Sequence, residues 1–234
     1  MKAERSNRGV RAAKAGEAKP KKRVLLVDDH AIMRDGLYEL INRERDLEVC
    51  GQTGDAFVAL ELAAGTAPDL ALVDITIAGK NGLELIKDIH VQFPQVAILA
   101  LSMHDETLYA ERVLRSGGRG YIMKQEGGQR VIEAIRMVLA GEIAVSPKVS
   151  AKVLDLFSGS GSEISPLGRL SDRELEIFQL IGRGQDNRQI ADHLHISPKT
   201  VEIHRAHLKE KLQIATTAKL IAFAASWIET HGAM

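Results

Sequence analysis

The chain has 234 residues, 45% hydrophobic and 26% charged, a composition that excludes wholesale disorder, collagen-like repeats and a disulfide scaffold. Its one cysteine, Cys50, cannot form an internal disulfide, and no apolar run approaches the roughly 18 residues that a bilayer span requires. The net charge of zero hides an uneven spread: residues 1–23 hold nine Lys or Arg against two Glu, residues 24–145 eleven basic against nineteen acidic side chains, and residues 170–234 eight of each. A basic tail, an acidic first domain and a neutral second domain point to separate tasks along the chain. The N-terminus lacks the apolar stretch of a signal peptide, so a cytoplasmic protein with no membrane partner is expected.

Residues 1–22 show no hydrophobic periodicity and read as a disordered basic tail. From Val24 short apolar runs alternate with amphipathic stretches. Val24–Val27, Leu70–Val73 and Val96–Leu101 are apolar almost throughout, as in strands buried on both faces of a parallel sheet. Weaker strands fit Leu47–Thr53, which contains Cys50 as a small core residue, and Gly120–Met123. Helices fit residues 31–43, 55–65, 82–92, 106–116 and 127–140. The alternation predicts a doubly wound α/β domain with a five-stranded parallel sheet over residues 23–142. A linker follows over residues 143–167, with a short helix near 147–157 and the flexible run Ser158-Gly-Ser-Gly-Ser162. Residues 168–234 read as a small all-α domain with helices near 172–182, 187–194, 198–212 and 216–229. Ser171 with Glu174 matches a capping box, and Ser197-Pro198 places a cap before proline at a first helical position.

In a parallel α/β sheet, ligands bind beyond the carboxyl ends of the strands. Asp28 and Asp29 end the first strand, Asp74 the third and Ser102 the fourth, and Lys124 follows the fifth. Three carboxylates that close together call for a hard cation, and oxygen ligands suit Mg²⁺. A lysine and a hydroxyl nearby could hold the oxygens of an incoming phosphoryl group, and a carboxylate can itself be the nucleophile. The segments Val24-Leu-Leu-Val-Asp-Asp-His30, Leu72-Val-Asp74 with Asn81-Gly82, Leu101-Ser102-Met-His and Gly120-Tyr-Ile-Met-Lys124 resemble a response-regulator receiver domain. The resemblance implies that Asp74 is the phosphorylated residue and that Asp28, Asp29, Asp74 and the Thr76 backbone carbonyl bind the Mg²⁺ ion. It also implies that Ser102 and Lys124 read the phosphoryl group, and that Tyr121 is an aromatic switch turning inward when Ser102 is drawn to the phosphoryl group. Many receivers have Met-Pro where this chain has Ile77-Ala78, which frees the loop after the third strand.

The helices near 187–194 and 198–212 are separated only by His195-Ile196-Ser197, the spacing of a helix-turn-helix whose second helix enters the major groove. Leu170 through Leu212 resembles the effector domain of the LuxR/NarL/FixJ class. By that resemblance Lys199, Thr200, His204, Arg205 and Lys211 contact phosphates, while Glu202, Ile203 and Ala206 face base edges. Glu202 stands where many relatives have lysine; it can accept from a cytosine amine but repels phosphate. The terminal helix, with Leu220, Ile221, Phe223, Ala224, Trp227 and Ile228, resembles the family's dimerisation helix. In relatives of this type the unphosphorylated receiver blocks the recognition helix. A zinc site on His193, His195, His204 and His207 is the competing reading of the second domain, although such sites normally close with cysteine or acidic ligands.

The chain is thus identified as a member of the two-component response regulators of NarL/FixJ type and is not expected to be an enzyme. The implied partners are operator DNA, a sensor histidine kinase, a second copy of the chain on activation, and RNA polymerase. The alternatives are an α/β interaction protein that binds Mg²⁺ without being phosphorylated, and a metal-dependent phosphatase of similar topology. Intact Asp74, Ser102 and Lys124 argue against the first. The second lacks a substrate cap and a further acid/base residue, and leaves the helix-turn-helix without a role.

Overall fold

The computed structural model describes residues 20–77, 81–103, 106–151 and 166–231. The basic tail to residue 19, Ala78, the latter part of the 147–157 helix and the Ser158–Ser162 run lie outside the described residues; residues 147–151 are helical.

The strands β1 (Lys22–Val27), β2 (Leu47–Thr53), β3 (Leu70–Asp74), β4 (Ala97–Ser102) and β5 (Gly120–Met123) form one parallel sheet in the order 2-1-3-4-5. Successive side chains on a strand point to opposite faces, and here both faces are buried. Val24, Leu26, Leu70, Leu72, Leu99 and Leu101 pack beneath α1 (Ala31–Asn42) and α5 (Gly128–Leu139). Leu25, Val27, Ala71, Val73, Ile98 and Ala100 pack beneath α2 (Ala56–Thr66), α3 (Gly82–Gln92) and α4 (Glu106–Arg115). The strands read as apolar runs rather than alternations for this reason.

β1 starts two residues before its apolar run, because ladder pairing is a backbone property: Lys22 pairs with Leu47 and Arg23 with Glu48. Cys50 is a correction. It lies on the edge strand, where the β1–β2 register skips it between Val24 and Leu25, and it is only partly buried, its Sγ 3.5 Å from Thr66 Oγ1. After α5, Ala144 bridges to Gly120 and is fully buried, extending the receiver's packed edge.

The chain then forms α6 (Asp172–Gly182), α7 (Asn187–Leu194), α8 (Pro198–Lys211) and α9 (Thr217–His231). The Ser171/Glu174 capping box forms as expected: Ser171 N–H donates to Glu174 Oε2 at 2.7 Å, and Glu174 N–H to Ser171 Oγ at 3.3 Å. Ser197 caps α8 through the Thr200 amide at 3.0 Å. A second box, Asp186 with Gln189, starts α7. Phe178 anchors the small core, with Phe223 and Trp227 rings 5.6 and 6.0 Å away by centroid. No helix among the described residues is long and apolar enough to cross a membrane.

Candidate functional site: an acidic pocket and a helix-turn-helix

Strand order reverses between β1 and β3, and the crevice beyond that point is where such sheets bind ligands. Asp28 and Asp29 follow β1 and Asp74 closes β3, so the crevice is walled by carboxylates. Asp28 and Asp74 are 2 and 3% exposed. The Lys124 ammonium bridges them, 2.7 Å from Asp28 Oδ2 and 2.8 Å from Asp74 Oδ2. Asp28 Oδ2 and Asp74 Oδ2 thus share one buried ammonium. The Thr76 amide donates to Asp74 Oδ1 at 3.0 Å. Ser102, at the end of β4, is fully buried. Of the strand-end residues, Asp28, Asp29, Asp74 and Lys124 come together here, and Ser102 ends β4, the strand paired with β3.

Burial dominates the chemistry of Asp74. It pushes the carboxyl up to about 6, helped by the Asp28 charge and opposed by Lys124 and the Thr76 amide. For Lys124, burial disfavours the charge, but Asp74 and Asp28 outweigh it and hold the ammonium above its ordinary value. The pocket thus carries more negative charge than its one lysine neutralises.

His30 was not singled out from the sequence. Its amide donates to Asp28 Oδ1 at 2.9 Å, and its Nδ1 lies 2.8 Å from Asp29 Oδ1 and 3.9 Å from Asp74 Oδ2. Ligand atoms of Asp28, Asp29, His30 and Asp74 lie within 4.8 Å of one another. Position directly after the acidic pair was the available signal. Three carboxylates gathered this closely around a single lysine fit a hard divalent cation, since such ions take oxygen ligands.

Tyr121 on β5 is 1% exposed. Its ring is already inside, so an inward swing is not the change this conformation leaves open. Ile77 is buried and belongs to the core on the α2, α3 and α4 side of the sheet. At the start of α3, a Cβ on Gly82 would meet the Asp74 carbonyl at 2.4 Å, so only glycine lets this helix abut the end of β3.

In the second domain, His195 closes α7 with φ 51° and Ser197 opens α8, giving the tight turn expected. Lys199, Glu202, Ile203 and Ala206 form one exposed stripe along α8. Thr200 lies beside them with its hydroxyl 2.8 Å from Ser197 Oγ. The other candidates are engaged within the domain. Arg205 donates to Asn187 Oδ1, and Lys211 donates to Glu174 Oε2 at 2.6 Å. His204 is half-buried with an Nδ1 that has no partner among the described residues; burial holds its pKa below the ordinary value, against the pull of Glu174. Of the four histidines weighed for zinc, only His204 and His207 come together, with Glu174. The Lys211 ammonium already neutralises that carboxylate, which favours an ion pair over a metal.

Residues 24–136 match the response regulator receiver domain family, and residues 168–224 match the luxR family of bacterial regulatory proteins. The oxygen regulatory protein NreC of Staphylococcus carnosus is 34% identical over 208 residues, covering 86% of this chain and 96% of that protein. NreC of Staphylococcus aureus aligns with the same identity and coverage. A LuxR-family two-component response regulator from Aurantimonas is 31% identical over 59% of this chain and 99% of its own, with a TM-score of 0.55. The Salmonella enterica RcsB structure is 23% identical, covers 88% of this chain and all of its own, and shares the fold at a TM-score of 0.64. The chain belongs to the response regulators that join a receiver domain to a LuxR-type helix-turn-helix, a family of phosphorylation-controlled transcription regulators.

Proposed function

We propose that a histidine kinase phosphorylates Asp74, and that the modified protein pairs with a second copy and binds an operator in the cytoplasm. The reading assigns the receiver to residues 23–142, the linker to 143–167 and the effector to 168–234. The observation that carries it is the buried Asp74 carboxylate at the switch point, held by Lys124 at 2.8 Å and the Thr76 amide at 3.0 Å. In the transfer, an Asp74 oxygen forms the new P–O bond as the donor's P–N bond breaks. The electron pair returns to the imidazole nitrogen. Lys124 and Ser102 would take phosphoryl oxygens. Asp28, Asp29, Asp74 and the Thr76 carbonyl would hold Mg²⁺, which supplies charge neutralisation for the incoming phosphoryl oxygens.

Pairing matters because the effector domain has a net charge of only +1 to contribute to DNA affinity. A symmetric dimer engages two half-sites, and the second contact is made at the effective concentration set by the first. The apolar side chains Ile221 and Phe223 stand exposed on α9 and suit that pairing. Full-length protein treated with a phosphodonor should shift from monomer to dimer in sedimentation and bind a selected operator about tenfold or more tighter than untreated protein. Equal affinity and equal oligomeric state in the two forms defeat this reading and favour the Mg²⁺-binding interaction protein.

The exposed stripe on α8 separates two kinds of substitution. Lys199→Ala should weaken binding to specific and unrelated DNA alike and lower the salt slope by roughly one counterion. Glu202→Ala should change which operators are selected. Lys211→Ala should act on stability instead, costing about 1 kcal/mol or less because the lysine is partly exposed. A uniform affinity loss from Glu202→Ala, with unchanged preference, removes base reading from that position.

A further inference from the structure

We infer that His30 is a nitrogen ligand to the pocket's divalent ion, and that it fits the receiver for a borderline transition ion of the Fe²⁺, Co²⁺ and Zn²⁺ class as well as for Mg²⁺. Its part in phosphorylation rests on the reading of Asp74 given above.

Local structure leaves the His30 ring free for this task. His30 is the N-cap of α1, a position where Ser, Thr, Asp or Asn would accept an amide of the first turn. The imidazole makes no such cap hydrogen bond. The backbone is nevertheless held on both sides: the His30 amide donates to Asp28 Oδ1 at 2.9 Å, and its carbonyl accepts from the Arg34 amide at 3.0 Å. The Arg34 guanidinium adds a further anchor, donating to the Asp28 carbonyl at 2.6 Å. The chain entering α1 is thereby pinned beside the pocket, with the ring against the carboxylates.

His30 Nδ1 lies 2.8 Å from Asp29 Oδ1, 3.4 Å from Asp28 Oδ1 and 3.9 Å from Asp74 Oδ2. In an octahedral site with bonds of about 2.1 Å, adjacent ligand atoms stand about 3 Å apart and opposite ones about 4.2 Å. The observed separations run through that range, so one small ion could sit among these four side chains with little rearrangement. A simple ion pair is the competing account, and it explains only the contact with Asp29. The nitrogen also faces Asp28, which follows β1, and Asp74, which ends β3. The ring is 63% exposed on its side-chain surface, so an ion reaches it without unpacking the core.

Donor chemistry selects the ion. Mg²⁺ prefers oxygen, gives up its waters reluctantly and gains little from an imidazole. Borderline transition ions favour imidazole nitrogen over water. One nitrogen among carboxylates therefore raises affinity for such ions and leaves Mg²⁺ affinity almost unchanged. A ligating imidazole is neutral, so it adds no negative charge to repel an incoming phosphoryl group.

The test titrates full-length protein with Co²⁺ and, separately, with Mg²⁺, in wild type, His30→Phe and Asp29→Asn. Phenylalanine keeps a ring at an exposed position and has no donor atom, so the fold is not at stake. His30→Phe should lose about tenfold or more in Co²⁺ affinity, a loss that even indirect partners of a metal ligand cause. Its Mg²⁺ affinity should change by less than about twofold. Asp29→Asn should weaken both ions. Proton NMR of the Co²⁺ form should show strongly shifted ring protons from one histidine, absent in His30→Phe. Shifted resonances that persist in His30→Phe place the ion on another of the eight histidines and overturn the inference. So does a Co²⁺ affinity that is undetectable in wild type or unchanged in His30→Phe, and Mg²⁺-dependent labelling of Asp74 then still stands. If Co²⁺ binds through His30 while Asp74 takes no label with either ion, the ligand is upheld and the phosphoacceptor reading fails.

Discussion

Asp74→Asn protein should take up no phosphoryl group from acetyl phosphate, whereas the wild type should be labelled at Asp74 when Mg²⁺ is present. The loss should be complete because an amide has no nucleophilic carboxylate oxygen. The neighbouring acids do not substitute for it: Asp28 holds the His30 amide at 2.9 Å, and Asp29 lies against the His30 ring. Chelation should abolish wild-type labelling as well. The pocket then keeps three carboxylates and a single lysine to meet an anionic donor, and the incoming charge is repelled. Mass-spectrometric location of the label reads both results. A label of undiminished intensity on another residue of Asp74→Asn protein removes Asp74 from its role.

The same substitution should make the metal-free protein more stable at neutral pH. Folding raises the Asp74 carboxyl from its ordinary 3.8 to about 6. Between those values the native state binds a proton that the unfolded chain has released. The stability this group contributes is therefore complete below pH 3.8 and lost as pH rises through 6. The gap corresponds to about 3 kcal/mol at pH 8. Asparagine is neutral throughout and avoids the loss, so Asp74→Asn should gain most of that amount at pH 8 in chelator, by denaturant melts. The advantage should shrink as pH falls through 6 and vanish near 4. Mg²⁺ should stabilise the wild type more than the variant, since it binds the folded carboxylates. An advantage that stays constant from pH 8 to pH 4 contradicts burial as its cause.

Much of the receiver was legible because its signals are local. Apolar runs such as Leu70–Val73 mark strands covered on both faces, and the charged or hydroxyl residue that ends each run lands on the ligand-binding edge. Where the reading faltered, the deciding neighbour lay elsewhere in the chain. Cys50 looked like core because β2 is apolar there, but only the β1–β2 register shows that pairing skips it. Lys211, His204 and Arg205 carry the types of residue that contact phosphate. Their faces were set by packing of α8 on α6 and α7, with Glu174 and Asn187 as the partners. The Asp186/Gln189 box carried the same four-residue signature as Ser171/Glu174 and could have been read.

By itself the amino-acid sequence determined the order of elements, the two domains and the set of residues that meet in the acidic pocket. Helix and strand periodicity, caps and strand-end positions depend on neighbours a few residues apart, and the parallel sheet brings its strand ends to one edge whatever else happens. Tertiary structure alone decided how the pocket is wired and what it touches. The Lys124 bridge between Asp28 and Asp74, the inward Tyr121 ring, and the contacts of Arg112, Tyr109 and Asn81 with α6 join residues 50 to 96 positions apart or turn on rotamers within a packed core. Such contacts depend on distance and burial in three dimensions, and no local pattern in the chain encodes them.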